Sequence, residues 1–314
     1  MLNKLKKMKG FFTNSPLAKI KVEFLGKVKY VYAKCEWFSL TGSIKDRVAY
    51  QIFYDAIKEN KINKNTKIVE VTSGNMGISV CAIANLLNLK TTILLPKNMS
   101  EERKKILRLY GANLIEVEDF KSAFSKCKEF ENQGYFCPHQ FENNSNFKAH
   151  YFITGKEIFN KLKNEQVNNF VCGVGTSGSL SGCGYYLKKH LNLKVVAIEP
   201  ENSKILTNTP PFKKHKLQGL ADEIVPKLYS SKLVDKVISI TDEDAISMSQ
   251  KLCRELSLGV GISSGANFLG AIVLPNNNVT IFADDNKKYL STDLSNLKST
   301  KLTQSIKLLG VEFM

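Results

Sequence analysis

Short runs rich in aliphatic and β-branched residues alternate with helix-length amphipathic stretches along nearly the whole chain, and this alternation constrains the fold more than any other feature. Strands separated by a helix cannot pair through tight turns; they align in parallel, with the helices as crossovers. The pattern predicts strands at 29–35, 67–71, 91–95, 113–117, 170–173, 195–198, 237–240 and 279–283. It predicts helices at 45–59, 77–87, 101–110, 121–132, 147–163, 180–190 and 243–256. Ser43 with Asp46, and Ser100 with Arg103 beside Glu101 and Glu102, read as N-terminal caps. The expected fold class is therefore α/β: two open, mostly parallel sheets flanked by helices. An Asn-rich turn at 140–146 separates two α/β blocks. The expected division is residues 36–144 in one domain and 14–35 with 145–314 in the other, with a cleft along the seam.

Composition excludes several classes. With 314 residues and 43% hydrophobic content the chain can bury a full core. No apolar run approaches the roughly 18 residues of a membrane span, and the basic segment 1–10 lacks a secretory apolar run, so the expected compartment is the cytoplasm. Seven cysteines (Cys35, Cys81, Cys127, Cys137, Cys172, Cys183, Cys253) are scattered without a Cys-x-x-Cys pair, and only His139 lies near one of them. They read as small core hydrophobes, with Cys137-Pro138-His139 taken as structural and no metal expected. The net charge of +16 is spread over the whole chain without an aromatic-basic motif. It reads as a lysine-biased solvated surface that attracts small anions, with no nucleic acid expected.

Three loops carry the chemistry. Thr41-Gly42-Ser43-Ile44-Lys45-Asp46 opens a helix, where the positive end of the helix favours a neutral lysine amine. Thr72-Ser73-Gly74-Asn75-Met76-Gly77 follows a buried strand at the carboxyl edge of a parallel sheet, where free N–H groups meet a carboxylate. Gly173-Val174-Gly175-Thr176-Ser177-Gly178-Ser179 again joins strand to helix, with glycines that let a phosphate approach. This last loop is also a Gly-x-Gly-x-x-Gly pattern with Glu199 at the end of the next strand, so a nicotinamide-dependent oxidoreductase using 173–178 competes. A basic binding module without catalysis is a third reading. A phosphorylated aldehyde cofactor, pyridoxal 5'-phosphate, uses all three loops at once and is the preferred reading.

With those residues in view, the chain resembles the cysteine synthase (O-acetylserine sulfhydrylase) and cystathionine β-synthase family, fold-type II pyridoxal-phosphate enzymes of tryptophan synthase β-like architecture. Matching segments run in family order from Asn14-Ser15-Pro16-Leu17 through the three loops, Gln140-Phe141-Glu142-Asn143, Gln218-Gly219 and Gly261-Ile262-Ser263-Ser264-Gly265-Ala266 to Tyr289-Leu290-Ser291-Thr292. The resemblance implies a Schiff base on Lys45, Asn75 at the cofactor's ring oxygen, and Gly175, Thr176, Ser177, Gly178 and Ser179 around its phosphate. It places Ser263 at the pyridine nitrogen, which weakens the electron sink and favours β-chemistry over transamination. Thr72, Ser73, Asn75, Met76 and Gln140 would grip the substrate carboxylate, with Gly219 and Asp222 at the mouth.

The implied activity is β-replacement on a small amino acid, foremost O-acetyl-L-serine plus sulfide to L-cysteine and acetate. A cysteine-consuming lyase, desulfhydrase or lanthionine synthase releasing hydrogen sulfide is the alternative. The resemblance further implies a homodimer, with serine acetyltransferase as a partner.

Departures from the family pattern fall at the cleft. Ser39 and Leu40 replace the usual Asn-Pro ahead of the lysine motif, Met76 stands for a threonine and Ser177 for a glycine. Asp222 and Glu223 replace small residues after Gly219. Either one of these two acids is expected to position water or an amino group, turning the reaction toward hydrolysis or lanthionine-type products with cysteine consumed and sulfide released, or both are solvated surface acids. His150 and His215 read as structural.

Overall fold

The computed structural model describes every residue except Ser73, Pro211 and 221–223. The described strands are β1 (Leu17–Phe24), β2 (Lys27–Cys35), β3 (Ile68–Val71), β4 (Thr91–Pro96), β5 (Asn113–Val117), β6 (Asn169–Gly173), β7 (Lys194–Pro200), β8 (Lys236–Ile240), β9 (Asn278–Phe282) and β10 (Ile306–Phe313). The helices are α1 (Leu2–Lys7), α2 (Lys45–Lys58), α3 (Asn75–Leu86), α4 (Glu101–Leu109), α5 (Phe120–Asn132), α6 (Asn144–Ala149), α7 (Lys156–Leu162), α8 (Gly178–Leu191), α9 (Asp242–Leu256), α10 (Ile262–Val273) and α11 (Lys301–Gln304).

The strands form two sheets: a parallel one in the order β3-β4-β5, and a seven-stranded one in the order β10-β1-β2-β9-β6-β7-β8. All the eight predicted strands are present within a few residues of their expected ends. The two unpredicted strands, β1 and β10, make the antiparallel pairings: β1 runs antiparallel to both β2 and β10. The larger sheet is thus mixed rather than uniformly parallel, and its antiparallel part lies at one edge. Strands β3, β4, β6 and β9 are buried along their whole length, as crossover helices on both faces require.

Three local expectations fail for physical reasons. The helix predicted over 147–163 is interrupted by a π-helical turn, His150–Gly155, between α6 and α7. Here α8 presses close: a Cβ on Gly182 would stand 2.7 Å from Cβ of His150, and one on Gly155 would stand 3.0 Å from Cβ of Tyr186. Helix α10, read in sequence only as a turn with a cap, packs with all but its last residue buried. Of the two predicted caps only part of one forms: Ser43 Oγ accepts from the Lys45 amide (3.3 Å), whereas the side chains of Asp46 and Ser100 do not cap their helices. Asp46 instead accepts from the backbone and hydroxyl of Thr41 (2.7 and 2.5 Å) and from Ser79 Oγ (2.7 Å), while Ser100 Oγ donates to the Lys288 carbonyl (2.8 Å). No described helix is long and apolar enough to cross a membrane.

Candidate active site

Crossover connections bring the ends of β2, β3, β6 and β9 to one region, and a cavity of about 400 Å³ opens there. Strand ends at the carboxyl edge of a parallel sheet are where such a fold leaves backbone groups free for ligands. Lys45, Thr72, Asn75, Met76, Gln140, Gly175, Thr176 and Gly219 all line this cavity. Their sequence separations are large, so only the fold unites them.

Lys45 sits on the first turn of α2 and is partly accessible from the cavity. Surrounding protein desolvates its ammonium and lowers its pKa, only partly offset by Cys172, Asp284 and Glu70 nearby. The neutral amine is therefore favoured more than on an ordinary surface lysine. Just beyond it, Arg47 anchors the helix. Its guanidinium bonds Glu36 (2.5 and 2.9 Å) and Glu157 (3.0 and 2.8 Å), and donates to Ser15 Oγ (3.0 Å), all but Glu157 fully buried.

The second loop begins α3 at Asn75, two residues earlier than predicted, so Asn75 and Met76 lie on the helix's first turn. Thr72 Oγ1 accepts from the Gly74 and Gly77 amides (2.9 and 3.3 Å), which leaves its own proton free to donate into the cavity. Asn75 Nδ2 donates to Asp284 Oδ2 (2.7 Å), and its buried Oδ1 has no partner among the described residues. Gln140 Nε2 donates to Glu70 Oε1 and to the Val71 carbonyl, both at 3.0 Å. Burial raises the Glu70 carboxyl well above its ordinary pKa, which favours its protonated form.

In the third loop, a Cβ on Gly175 would meet the Gly219 carbonyl at 2.3 Å, and one on Gly178 would meet Asn146 Oδ1 at 1.9 Å. Glycine is required at both positions by close approach. Asn146 Nδ2 bonds the Gln140 carbonyl (2.9 Å) and Thr176 Oγ1 (2.8 Å), linking the presumed substrate and phosphate loops through one amide. Ser177 holds the left-handed conformation (φ 65°) that a glycine adopts freely, with its hydroxyl 3.1 Å from Ser181 Oγ. Ser177, Gly178 and Ser179 stand behind Thr176 at the start of α8, where first-turn amides lack intrahelical acceptors. Ser263 lies buried on the first turn of α10 and meets no partner for its hydroxyl among the described residues. Ser73, Asp222 and Glu223 lie outside the described residues.

Sequence reasoning missed a second layer. Asp284, just past the end of β9, accepts from Asn75 and from Tyr289 Oη (2.7 Å each), and its Oδ1 is buried without a partner among the described residues. The strand-end rule that selected the other loops applies equally to it. Arg103, read only as a capping partner, is buried at the cavity wall. Its side chain packs against Gly74, where a Cβ would lie 2.3 Å from Cδ, and it stands over the Tyr289 ring (4.7 Å) and bonds Gln218 Oε1 (2.5 Å). Glu199, the acid a nicotinamide reading needs, is already occupied: it is buried and accepts from Leu206 N (2.9 Å) and Thr207 Oγ1 (2.7 Å). His150 is buried, its pKa held well below the ordinary value by desolvation, and it bonds Thr154 Oγ1 (3.0 Å).

Comparison with known proteins agrees with this geometry. Residues 9–280 match the family model described as pyridoxal-phosphate dependent enzyme. The chain is 37% identical over 291 residues to the cysteine synthase of Staphylococcus aureus, covering 89% of this chain and 94% of that protein. Among solved structures it is similar to a hydrogen sulfide-producing enzyme from Fusobacterium nucleatum (39% identity, TM-score 0.94, 100% of both chains). It is also similar to the O-acetylserine dependent cystathionine beta-synthase of Helicobacter pylori (32% identity, TM-score 0.83, 91% of this chain and 97% of that one).

Proposed function

Because the chain belongs to the pyridoxal-phosphate-dependent enzyme family and performs β-replacement or elimination with that cofactor, we propose that Lys45 carries the cofactor and that the substrate is a three-carbon amino acid with a β-leaving group. The residues present fit the group. They offer one desolvated amine, an unpartnered buried acceptor on Asn75, a buried hydroxyl on Ser263, and first-turn amides behind close-packed glycines for a phosphate. When bound, pyridoxal phosphate supplies an aldehyde for the amine and a ring that delocalises charge from the substrate's α-carbon.

This chain's residues then have separable tasks. Asn75 and Ser263 hold the ring from two sides, and Gly175, Thr176, Ser177, Gly178 and Ser179 hold the phosphate. The substrate carboxylate docks on the first turn of α3, where orphan amides and the helix's positive end meet the Thr72 hydroxyl, with Gln140, its side-chain amide tied to Glu70 and Val71, bracing the loop beside it. Met76 lines the cavity beside that grip, with Gly219 at the mouth. Arg103, packed on Gly74, adds positive potential at that spot. Lys45 Nζ, with its lowered pKa, takes the proton from the substrate's α-carbon and delivers it to the product side.

For substrate, we favour L-cysteine as donor with sulfide as leaving group, supported by the end-to-end likeness to the hydrogen sulfide-producing enzyme. The opposite direction, O-acetyl-L-serine plus sulfide, is the second reading, favoured by the likeness to cysteine synthases. In the first reading Asp222 or Glu223 positions the incoming water or amine. The enzyme acts in the cytoplasm as a homodimer, with serine acetyltransferase as partner in the synthase reading, and each chain divides into a 36–144 domain and a domain of 14–35 with 145–314. Light scattering and co-elution with that acetyltransferase test the assembly.

The observation that carries the assignment is the desolvated Lys45 amine facing the glycine loop across one cavity. Purified enzyme should be yellow, and Lys45→Ala should lose that absorption. Adduct trapping by borohydride on any other lysine overturns it. Sulfide release from cysteine alone, against cysteine formation from O-acetylserine and sulfide, decides direction, and unchanged sulfide release in Asp222→Asn removes the carboxylate from the mechanism.

A further inference from the structure

The sequence offers no metal motif, yet the fold gathers a donor set at the rim of the cleft. Helix α5 presents Cys127 and Glu131 four residues apart on one face. The segment after it brings Cys137 and His139 back against that face. The pair that sequence reading set aside points to one place, with the donor atoms of Cys137 and His139 within 4.8 Å of each other. Cys127 Sγ and Cys137 Sγ stand 3.1 Å apart, and His139 Nε2 lies 2.6 Å from Glu131 Oε1. The donor atoms of Glu131, Cys137 and His139 all lie within 4.8 Å of one another. A small cavity of about 40 Å³ is lined by all four residues, room for a single ion or water.

We propose that Cys127, Glu131, Cys137 and His139 form a binding site for one divalent cation of the zinc type. Two sulfurs, one imidazole nitrogen and one carboxylate oxygen make a four-donor set that suits a tetrahedral, borderline-soft ion. Ligand separations around tetrahedral zinc are about 3.3–3.8 Å, given bond lengths of about 2.0–2.3 Å, so Glu131, Cys137 and His139 need only small side-chain adjustments, while Cys127, beside Cys137 but outside that close group, must swing in to complete the set. The histidine is also oriented as ligating imidazoles are: Nε2 faces the donors while Nδ1 lies 3.8 Å from the Glu142 carboxylate on the other side. His139 is held in a left-handed conformation (φ 50°), with its carbonyl accepting from Glu142 and Asn143 (3.0 and 2.9 Å), which fixes the ring's direction. The two cysteines are buried while Glu131 and His139 reach solvent, so an ion has an entry path. Binding releases thiol protons to solvent and involves no electron transfer. It would also pin α5 to the segment ending in Gln140, which lines the main cavity.

The test uses untagged holoenzyme, reduced and handled without oxygen, titrated with zinc against a chromophoric chelator. One zinc per chain is expected to bind in competition. Affinity should fall tenfold or more in Cys137→Ser and in His139→Asn, the latter keeping a residue that tolerates the left-handed backbone, and about tenfold in Glu142→Gln. Cobalt substituted for zinc should show ligand-field bands in the red, beyond the cofactor's absorption, that vanish in Cys137→Ser. Circular dichroism on each variant identifies any that has failed to fold. The proposal is overturned if folded Cys137→Ser and His139→Asn bind zinc as the wild type does. It is equally overturned if the reduced wild type retains no zinc at micromolar concentration, including the case in which Cys127 and Cys137 serve only as a disulfide pair.

Discussion

Replacing Arg47 by methionine removes the guanidinium that ties α2, and with it Lys45, to β2 and α7. Arg47 is 1% exposed and Glu36 is fully buried, so their attraction is scarcely screened by water. The substitution deletes two bonds to Glu36 and two to Glu157. Glu157 keeps Lys34 at 2.8 Å, but the Glu36 carboxylate keeps, among the described residues, only the hydroxyl of Ser15 at 2.6 Å. A buried carboxylate is thereby stranded, which costs about 3–5 kcal/mol. Removing both partners should be milder: Arg47→Met with Glu36→Met leaves no unpaired charge and should recover at least about 2 kcal/mol of the loss. Urea unfolding of the holoenzyme at one fixed, saturating cofactor concentration, with slopes compared between variants, measures both. A loss below about 1 kcal/mol in the single variant, or a double variant less stable than the single, refutes the claim that charge burial governs this cluster.

Further outcomes follow from the same geometry. Arg103→Met should raise KM for the amino-acid substrate about tenfold, the equivalent of about 1.4 kcal/mol, with kcat changed less; an unchanged KM refutes its role at the carboxylate. Gly178→Ala drives a Cβ into Asn146 and should weaken cofactor affinity roughly 5- to 100-fold, from about 1–3 kcal/mol of overpacking, measured by titrating apoenzyme. Burial pushes the thiols of Cys81 and Cys172 up to about 11 and that of Cys35 up to about 12. Iodoacetamide at pH 8 should therefore leave all three unmodified in the native enzyme while labelling the less buried Cys253, as peptide mass spectrometry would show.

Much of this site was legible because it rests on local rules that survive tertiary context. Buried runs such as 68–71 and 169–173 carry no polar alternation, and the polar, glycine-bearing turns after them mark the carboxyl edge where ligands bind. Strand β1, which lies between β10 and β2, does carry the alternation of a half-buried strand at Lys19, Lys21 and Glu23, but the crossover pattern that located the parallel strands does not extend to it, and its partner β10 lies almost 300 residues away. Arg103 and Asp284 were hidden by pairing at a distance. Each reads as an ordinary charged residue until the fold sets it against Gly74 or Asn75. Ser43 accepts from the Lys45 amide as a cap would, but Asp46 and Ser100 found partners in Thr41, Ser79 and Lys288 that a helix-only reading cannot weigh.

Glu70 connects the chemistry of the cleft to its stability, and the connection has a definite sign. Burial raises the pKa of this carboxyl in the folded state, whereas the unfolded chain releases the proton near the ordinary value of about 4.3. Folded protein thus binds more protons than unfolded protein above that value, so stability falls as pH rises through the window between the two pKa values. Glu70→Gln preserves an acceptor for Gln140 and cannot ionise, so it escapes this loss. Thermal unfolding of the two proteins from pH 5 to 8 should show Glu70→Gln gaining on the wild type steadily with pH. A gap that stays constant or closes would mean that Glu70 is ionised in the fold, that Gln140 is bonded to a carboxylate, and that the end of β3 presents a negative charge beside the proposed substrate carboxylate. That last condition would argue against carboxylate binding there, so one pH series tests both the burial of Glu70 and the electrostatics of the substrate loop.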